Sequence, residues 1–141
     1  MRTERSTSAA RDFEELIGQR VSAVCFVSNY VELHFDGPIL RSLADPSVTV
    51  DGERHRFPER GSRDALCGLV GREVRIAEDR DDALSLFLTG DAEFHIPKAS
   101  RDAGPEIAHY VPAVVGRLDV AAMAIWENLV PTRQGPAGRK A

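Results

Sequence analysis

An α+β fold built mostly from antiparallel strands is what the sequence predicts, and three observations carry the prediction. Residues 30–36 alternate, with Val31, Leu33 and Phe35 on one side and Tyr30, Glu32, His34 and Asp36 on the other, which is the period of a half-buried strand. Asp36-Gly37 and Asp51-Gly52 are strong hairpin signals, because Asp and Gly supply the left-handed conformation that a primed turn needs. Two stretches, ending at Gly18 and Gly71, instead space their apolar residues at helical intervals. The expected architecture is a set of hairpins and a meander, open or partly closed into a barrel, with two short helices.

In chain order, residues 1–7 read as a disordered polar start, 8–131 as a single α+β domain, and 132–141 as a flexible tail rich in Gly, Pro, Arg and Lys. Thr7 or Ser8 can cap the first helix, where Ala10, Phe13, Leu16 and Ile17 share a face and Gly18 takes the C′ position. From Val21 to Val27 every residue but Ser22 is apolar, as in a strand buried on both faces. A Ser28-Asn29 turn, with Asn in positive φ, leads into the alternating strand. Pro38 then opens a third strand that runs to Leu43. Val48–Val50 and Arg54–Phe57 flank Asp51-Gly52, and the second arm is polar enough to be an exposed edge.

Ser62 is expected to cap the second helix, with Ala65, Leu66, Leu69 and Val70 as its buried stripe. A meander follows, with Val74 and Ile76, Leu84 to Leu88, and Ala92, Phe94 and Ile96 in successive strands. Two alternatives stand for the last portion: a hairpin turning at Val115-Gly116, which is preferred, or a helix capped by Asp119 through residues 120–130. Val24, Phe26, Val31, Leu33, Phe35, Leu66, Leu69, Val74, Ile76, Leu86, Phe94 and Ile96 are the expected core.

Composition narrows the function. With 18 Lys and Arg against 22 Asp and Glu the net charge is −4, so the basic stripe of a nucleic-acid binder is missing. No apolar run approaches the roughly 20 residues that span a bilayer. The start of the chain lacks an apolar signal core, so the expected compartment is the cytoplasm. There Cys25 and Cys67, which share no C-x-x-C spacing, should be reduced and buried. No nucleophile elbow, phosphate loop, dinucleotide fingerprint or zinc-protease helix is present. No cofactor is implied.

The constellation that stands out is a repeated Glu-x-His unit: Glu32 with His34, and Glu93 with His95, joined by Glu106 with His109. A carboxylate and an imidazole two residues apart on a strand share a face at about 7 Å between Cα atoms, close enough to tune the ring or to share an ion. Polar strand faces also carry such pairs with no task beyond cross-strand pairing, and that is the reading preferred for these units, with no metal expected. The acidic turn Glu78 to Asp82 lacks the calcium-loop spacing and reads as a solvated turn. Arg54, His55 and Arg56 form a small cationic patch on the expected edge.

The pattern I-G-x-x-V-x-x-V-x-F, then V-x-L-x-F-D-G, then A-H-Y-V-P and I-W-E-N-L-V-P, resembles a group of short actinobacterial proteins of unknown function over residues 16–131. The resemblance implies a fold and no chemistry. Two functional readings follow from the residues. In the first, the chain is a non-enzymatic binding module for another protein, in the manner of small acidic immunity proteins, docking through Arg54, His55 and Arg56. In the second it is a small metal- or acid–base-dependent enzyme using Glu32, His34, Glu93, His95 and His109. The first is preferred, and the oligomeric state is left open.

Overall fold

The structure, a computed structural model, describes residues 12–114 and 116–130. The expected caps Thr7 and Ser8, Ala10, the polar start and the tail 132–141 lie outside the described residues. Twelve strands are described: β1 (Ala23–Val27), β2 (Tyr30–His34), β3 (Ile39–Ser42), β4 (Ser47–Val50), β5 (Glu53–Arg56), β6 (Val74–Asp79), β7 (Ala83–Leu88), β8 (Ala92–Pro97), β9 (Glu106–Val111), β10 (Ala113–Val114), β11 (Arg117–Leu118) and β12 (Ala124–Glu127). A single α-helix with described ends, α1, spans Ser62–Cys67, and residues 12–14 are also helical.

The strands form two antiparallel five-stranded sheets, ordered β1-β2-β3-β9-β12 and β5-β4-β8-β7-β6, while β10 and β11 pair separately. The sheets do not close into a barrel. They share one core, because the alternation of each strand turns one apolar row inward. From the first sheet Val31, Leu33, Leu40, Ala108, Tyr110 and Trp126 enter it; from the second come Val48, Leu84, Leu86, Phe94 and Ile96. Phe13 and Leu16 join from the first helical segment, with the Phe13 ring edge-on to Trp126 at 5.8 Å. A polar tie crosses between sheets where Trp126 Nε1 donates to Asp79 Oδ2 at 3.0 Å and Lys98 pairs with the other carboxylate oxygen. Among the described residues no helix is long and apolar enough to cross a membrane.

The three consecutive strands β1–β3 and the meander β6–β8 are as the residue pattern predicts. Asp51 and Gly52 both take positive φ, at 56° and 81°, as a primed turn requires. Gly37 is demanded twice over: its φ is 117°, and a Cβ there would meet the Cβ of Ala113 at 2.9 Å.

Several expectations are corrected. β1 is an edge strand and only half-buried, because sheet order leaves one side open; Phe26 stacks on Phe57 at 6.0 Å under the Arg63 guanidinium, so Phe26 and Val24 sit at the margin of the core. Cys25 is consequently half-buried, and Cys67, on the outer side of α1, is exposed; both are free thiols. Ile76 is 47% exposed, since a bulge between Val74 and Ile76 shifts the register and reverses which side the next residues face. Ile17 and Val70 are also exposed, each lying in the turn that leaves its helical segment. Positive φ in the first turn falls on Ser28 and not on Asn29.

Gly61, in the left-handed conformation, is the N-cap of α1, while Ser62 is its first residue and its buried hydroxyl has no hydrogen-bond partner among the described residues. The last portion is the hairpin and not the helix: β12 returns antiparallel beside β9, interrupted by the β10–β11 pair and one 3-10 turn at Val120–Ala122.

Candidate functional site

The outer face of the second sheet carries a polar cavity of about 730 Å³. Alternation explains its floor. In β8 the apolar Ala92, Phe94 and Ile96 point to the core, so Glu93, His95 and Pro97 point outward. The register then sets Arg56, Ser47, His95 and Ser85 in one row across β5, β4, β8 and β7, and Arg54, Thr49, Glu93 and Phe87 in the next. Asp45, Arg80, Asp82 and the segment Ala99–Asp102 complete the wall.

On the floor, His95 is held from both sides. Its Nδ1 accepts from the Ser85 hydroxyl at 2.7 Å while Nε2 donates to Glu93 at 2.8 Å, and the Phe87 ring meets it edge-on at 5.7 Å. A hydroxyl–imidazole–carboxylate relay of this kind suits acyl transfer only if the hydroxyl can reach a substrate. Ser85 is 0% exposed. The relay therefore orients His95, whose ring faces the cavity, more readily than it delivers a nucleophile.

The rim carries four arginines (Arg54, Arg56, Arg80 and Arg101) and four acids (Asp45, Asp82, Glu93 and Asp102), but few of them are in direct contact. Arg80 pairs with Glu78 at 3.2 Å, whereas Arg54, Arg56 and Arg101 have no ion-pair partner among the described residues. Asp45 is strained in the electrostatic sense: burial raises its carboxyl above the ordinary value of 3.8, the Arg56 guanidinium relieves this only in part, and repulsion from Asp102 adds a smaller push upward. A raised acid binds its proton more tightly in the folded chain, so the stability it contributes is present below the unfolded value and lost as pH rises through the folded one. Asp45→Asn should therefore raise the melting temperature at pH 7, with the gain fading toward pH 3 in a pH series of thermal melts. An equal gain at both ends would mean that the carboxyl's ionisation has no part in it.

The wall is fastened by Asn128, which the sequence reading passed over. Its Nδ2 donates to the carbonyls of Ser100 at 2.7 Å and Gly104 at 2.9 Å, and its Oδ1 accepts from the Ser100 N–H at 3.1 Å. An Asn between the apolar strand β12 and a closing Leu-Val-Pro is the signal that could have found it, since Asn satisfies loop backbone in this way. Ser85, Asp45 and Arg101 were also missed, because nothing local marks them.

The first sheet holds the other Glu-x-His unit, on its own outer face. Cys25, Glu32, Arg41 and His109 occupy one row across β1, β2, β3 and β9. Glu32 Oε1 accepts from His34 Nε2 at 3.0 Å, and Arg41 Nε donates to its Oε2 at 2.8 Å. Arg41 Nη1 also donates to His109 Nδ1 at 2.9 Å, which leaves Nε2 of that ring to donate to Glu106 at 2.7 Å. Burial would raise the Glu32 carboxyl, but hydrogen bonds and charge from His34 and Arg41 outweigh burial and hold it below its ordinary value. Arg41 thus stands between Glu32 with His34 on one side and His109 on the other, while Glu93 and His95 sit on the other sheet; the four do not converge. His55 parts from its neighbours: it shares the core-facing side of β5, half-buried, 3.6 Å from Glu53.

Arg54 and Arg56 thus belong to one cavity with Glu93 and His95, a grouping that no single stretch of sequence displays. Comparison with models of protein families, with curated proteins and with solved structures finds no match to this chain.

Proposed function

We propose that this chain is a binding module that takes an extended, acidic polypeptide segment along β5 and over the polar cavity. The observation that carries the reading is that one pair of residues, Arg54 and Arg56, lies on an edge strand and lines the cavity without ion-pair partners among the described residues. After a two-residue turn the residues flanking it, Val50 and Glu53, share both ladder bonds, so the backbone of Arg54 and Arg56 turns away from β4. The Arg56 carbonyl is taken by the Glu59 N–H at 2.7 Å. Both groups of Arg54 and the N–H of Arg56 remain for a docking strand, whose alternate side chains would then project over the two guanidinium groups. Carboxylates there gain charge-assisted bonds, and Asp45, Asp82, Glu93 and Asp102 oppose a partner of uniformly negative charge, which favours spaced acids.

A panel of strand-forming peptides with Glu at alternate positions, titrated against the isotope-labelled protein, tests this. Binding should shift the amides of β4 and β5, weaken at least tenfold in Arg54→Glu with Arg56→Glu, and weaken similarly when the peptide acids become Gln. Shifts confined to other strands, or affinity within twofold in the charge-reversed protein, would place recognition elsewhere.

A further inference from the structure

From the geometry of the first sheet we infer a second, independent site: Cys25, Glu32 and His34 form a three-ligand site for a zinc-like transition-metal ion. Cys25 lies directly opposite Glu32 in the β1–β2 register, and His34 follows Glu32 by one alternation on the same outer face. One donor atom from each lies within 4.8 Å of the others. Around a tetrahedral zinc with bonds of about 2.0–2.3 Å, neighbouring donors stand roughly 3.3–3.5 Å apart. The carboxylate oxygen and ring nitrogen that face each other are 3.0 Å apart, close to that spacing. The thiol sits on an edge strand, paired on one side only.

The donor set selects the metal. A thiolate, an imidazole and one carboxylate suit zinc and its borderline-soft neighbours, whereas magnesium and calcium want oxygen alone. Thiolate and carboxylate together balance a divalent charge. Arg41 clamps Oε2 of Glu32 and so presents Oε1 toward His34, which is the orienting role that groups outside a metal's own ligands usually play. Protons balance as follows: the Cys25 thiol loses one to solvent, and the proton now on His34 Nε2 moves to Nδ1, which has no hydrogen-bond partner among the described residues and can donate to water. Three protein ligands leave a fourth position to water, and the half-buried Cys25 and His34 leave it reachable. The Glu-x-His units read by themselves as cross-strand pairs with no metal, and Cys25 as a core residue; the register sets Cys25 beside Glu32 as the third donor.

The test uses zinc and cobalt ions with the full chain. After loading and gel filtration, the protein should retain one equivalent of zinc, release about one proton on uptake, and give with cobalt the thiolate charge-transfer band in the near ultraviolet. Cys25→Ser, close in size to the native side chain, and His34→Ala should each weaken zinc binding at least a hundredfold and abolish the cobalt band, with folding checked by circular dichroism. Cys67→Ser and His95→Ala should leave both signals intact. Failure to retain zinc, unchanged binding in Cys25→Ser, or loss of binding in Cys67→Ser would overturn the inference. None of these outcomes bears on the cavity of the second sheet, so the two readings fail separately.

Discussion

Leu33→Ala is expected to cost the fold about 2–5 kcal/mol, the usual loss when a fully buried leucine is truncated and the site relaxes only in part. Leu33 sits in the second strand of the first sheet, 0% exposed, between Val24 on β1 and Leu40 on β3. Its row continues to Tyr110 and Ala124, so the side chain stands where the first sheet meets the second. A sheet row pinned by its neighbouring strands cannot collapse into the space that the missing Cγ and two Cδ methyl groups would leave, which places the loss in that range and not near the bare transfer energy. Urea unfolding should show a lowered midpoint with an unchanged slope. A loss below about 0.5 kcal/mol would mean that this face of β2 does not reach the core.

The second large effect is expected at Arg41. It is the shared partner of Glu32 and His109, two residues brought together only by the pairing of β3 with both β2 and β9. Glu32 is 9% exposed, so removing the guanidinium leaves a nearly buried carboxylate with His34 alone. Arg41→Met keeps most of the apolar stem and deletes the charge. The expected cost at pH 7 in metal-free protein is about 1–3 kcal/mol, less than for a fully buried pair because the arginine is partly solvated. The dependence on pH has a definite sign. Glu32 is held below its ordinary value of 4.5, so the stability it contributes is present above that value and lost as pH falls through the folded one. Wild type and Arg41→Met should therefore converge in stability toward about pH 3. A difference that stays constant from neutral to acid pH would assign the loss to packing of the arginine stem and not to its charge.

The candidate sites show how far residue patterns reach. Glu32 with His34 and Glu93 with His95 were legible as pairs, because two positions along a strand always share a face, and each pair is hydrogen-bonded as that spacing allows. Arg54 and Arg56 were legible as an edge, from the density of charge after a turn. Their company was not legible. Arg56 and Ser85 share a row only because β4 and β8 lie between β5 and β7, and the sequence does not state which strands are neighbours. Cys25 is an intermediate case: a two-residue turn at Ser28-Asn29 already places it opposite Glu32, yet its apolar surroundings made it look like a core residue.

By itself the sequence determined the elements: three strands from Ala23 to Ser42, the Asp51-Gly52 hairpin with its charged edge, and the meander through Pro97. These rest on alternation and on turn residues, which act between near neighbours and are written in the chain. Only the tertiary structure decided that two sheets form in place of a barrel, and that β9 inserts between β3 and β12. It also decided that a bulge turns Ile76 outward, and that Asn128 fastens the cavity wall at Ser100. The physical reason is the same in each case. Non-local pairing is settled by which apolar faces can be buried together while every edge and loop finds partners for its backbone, and that balance is a property of the whole chain and of no single stretch.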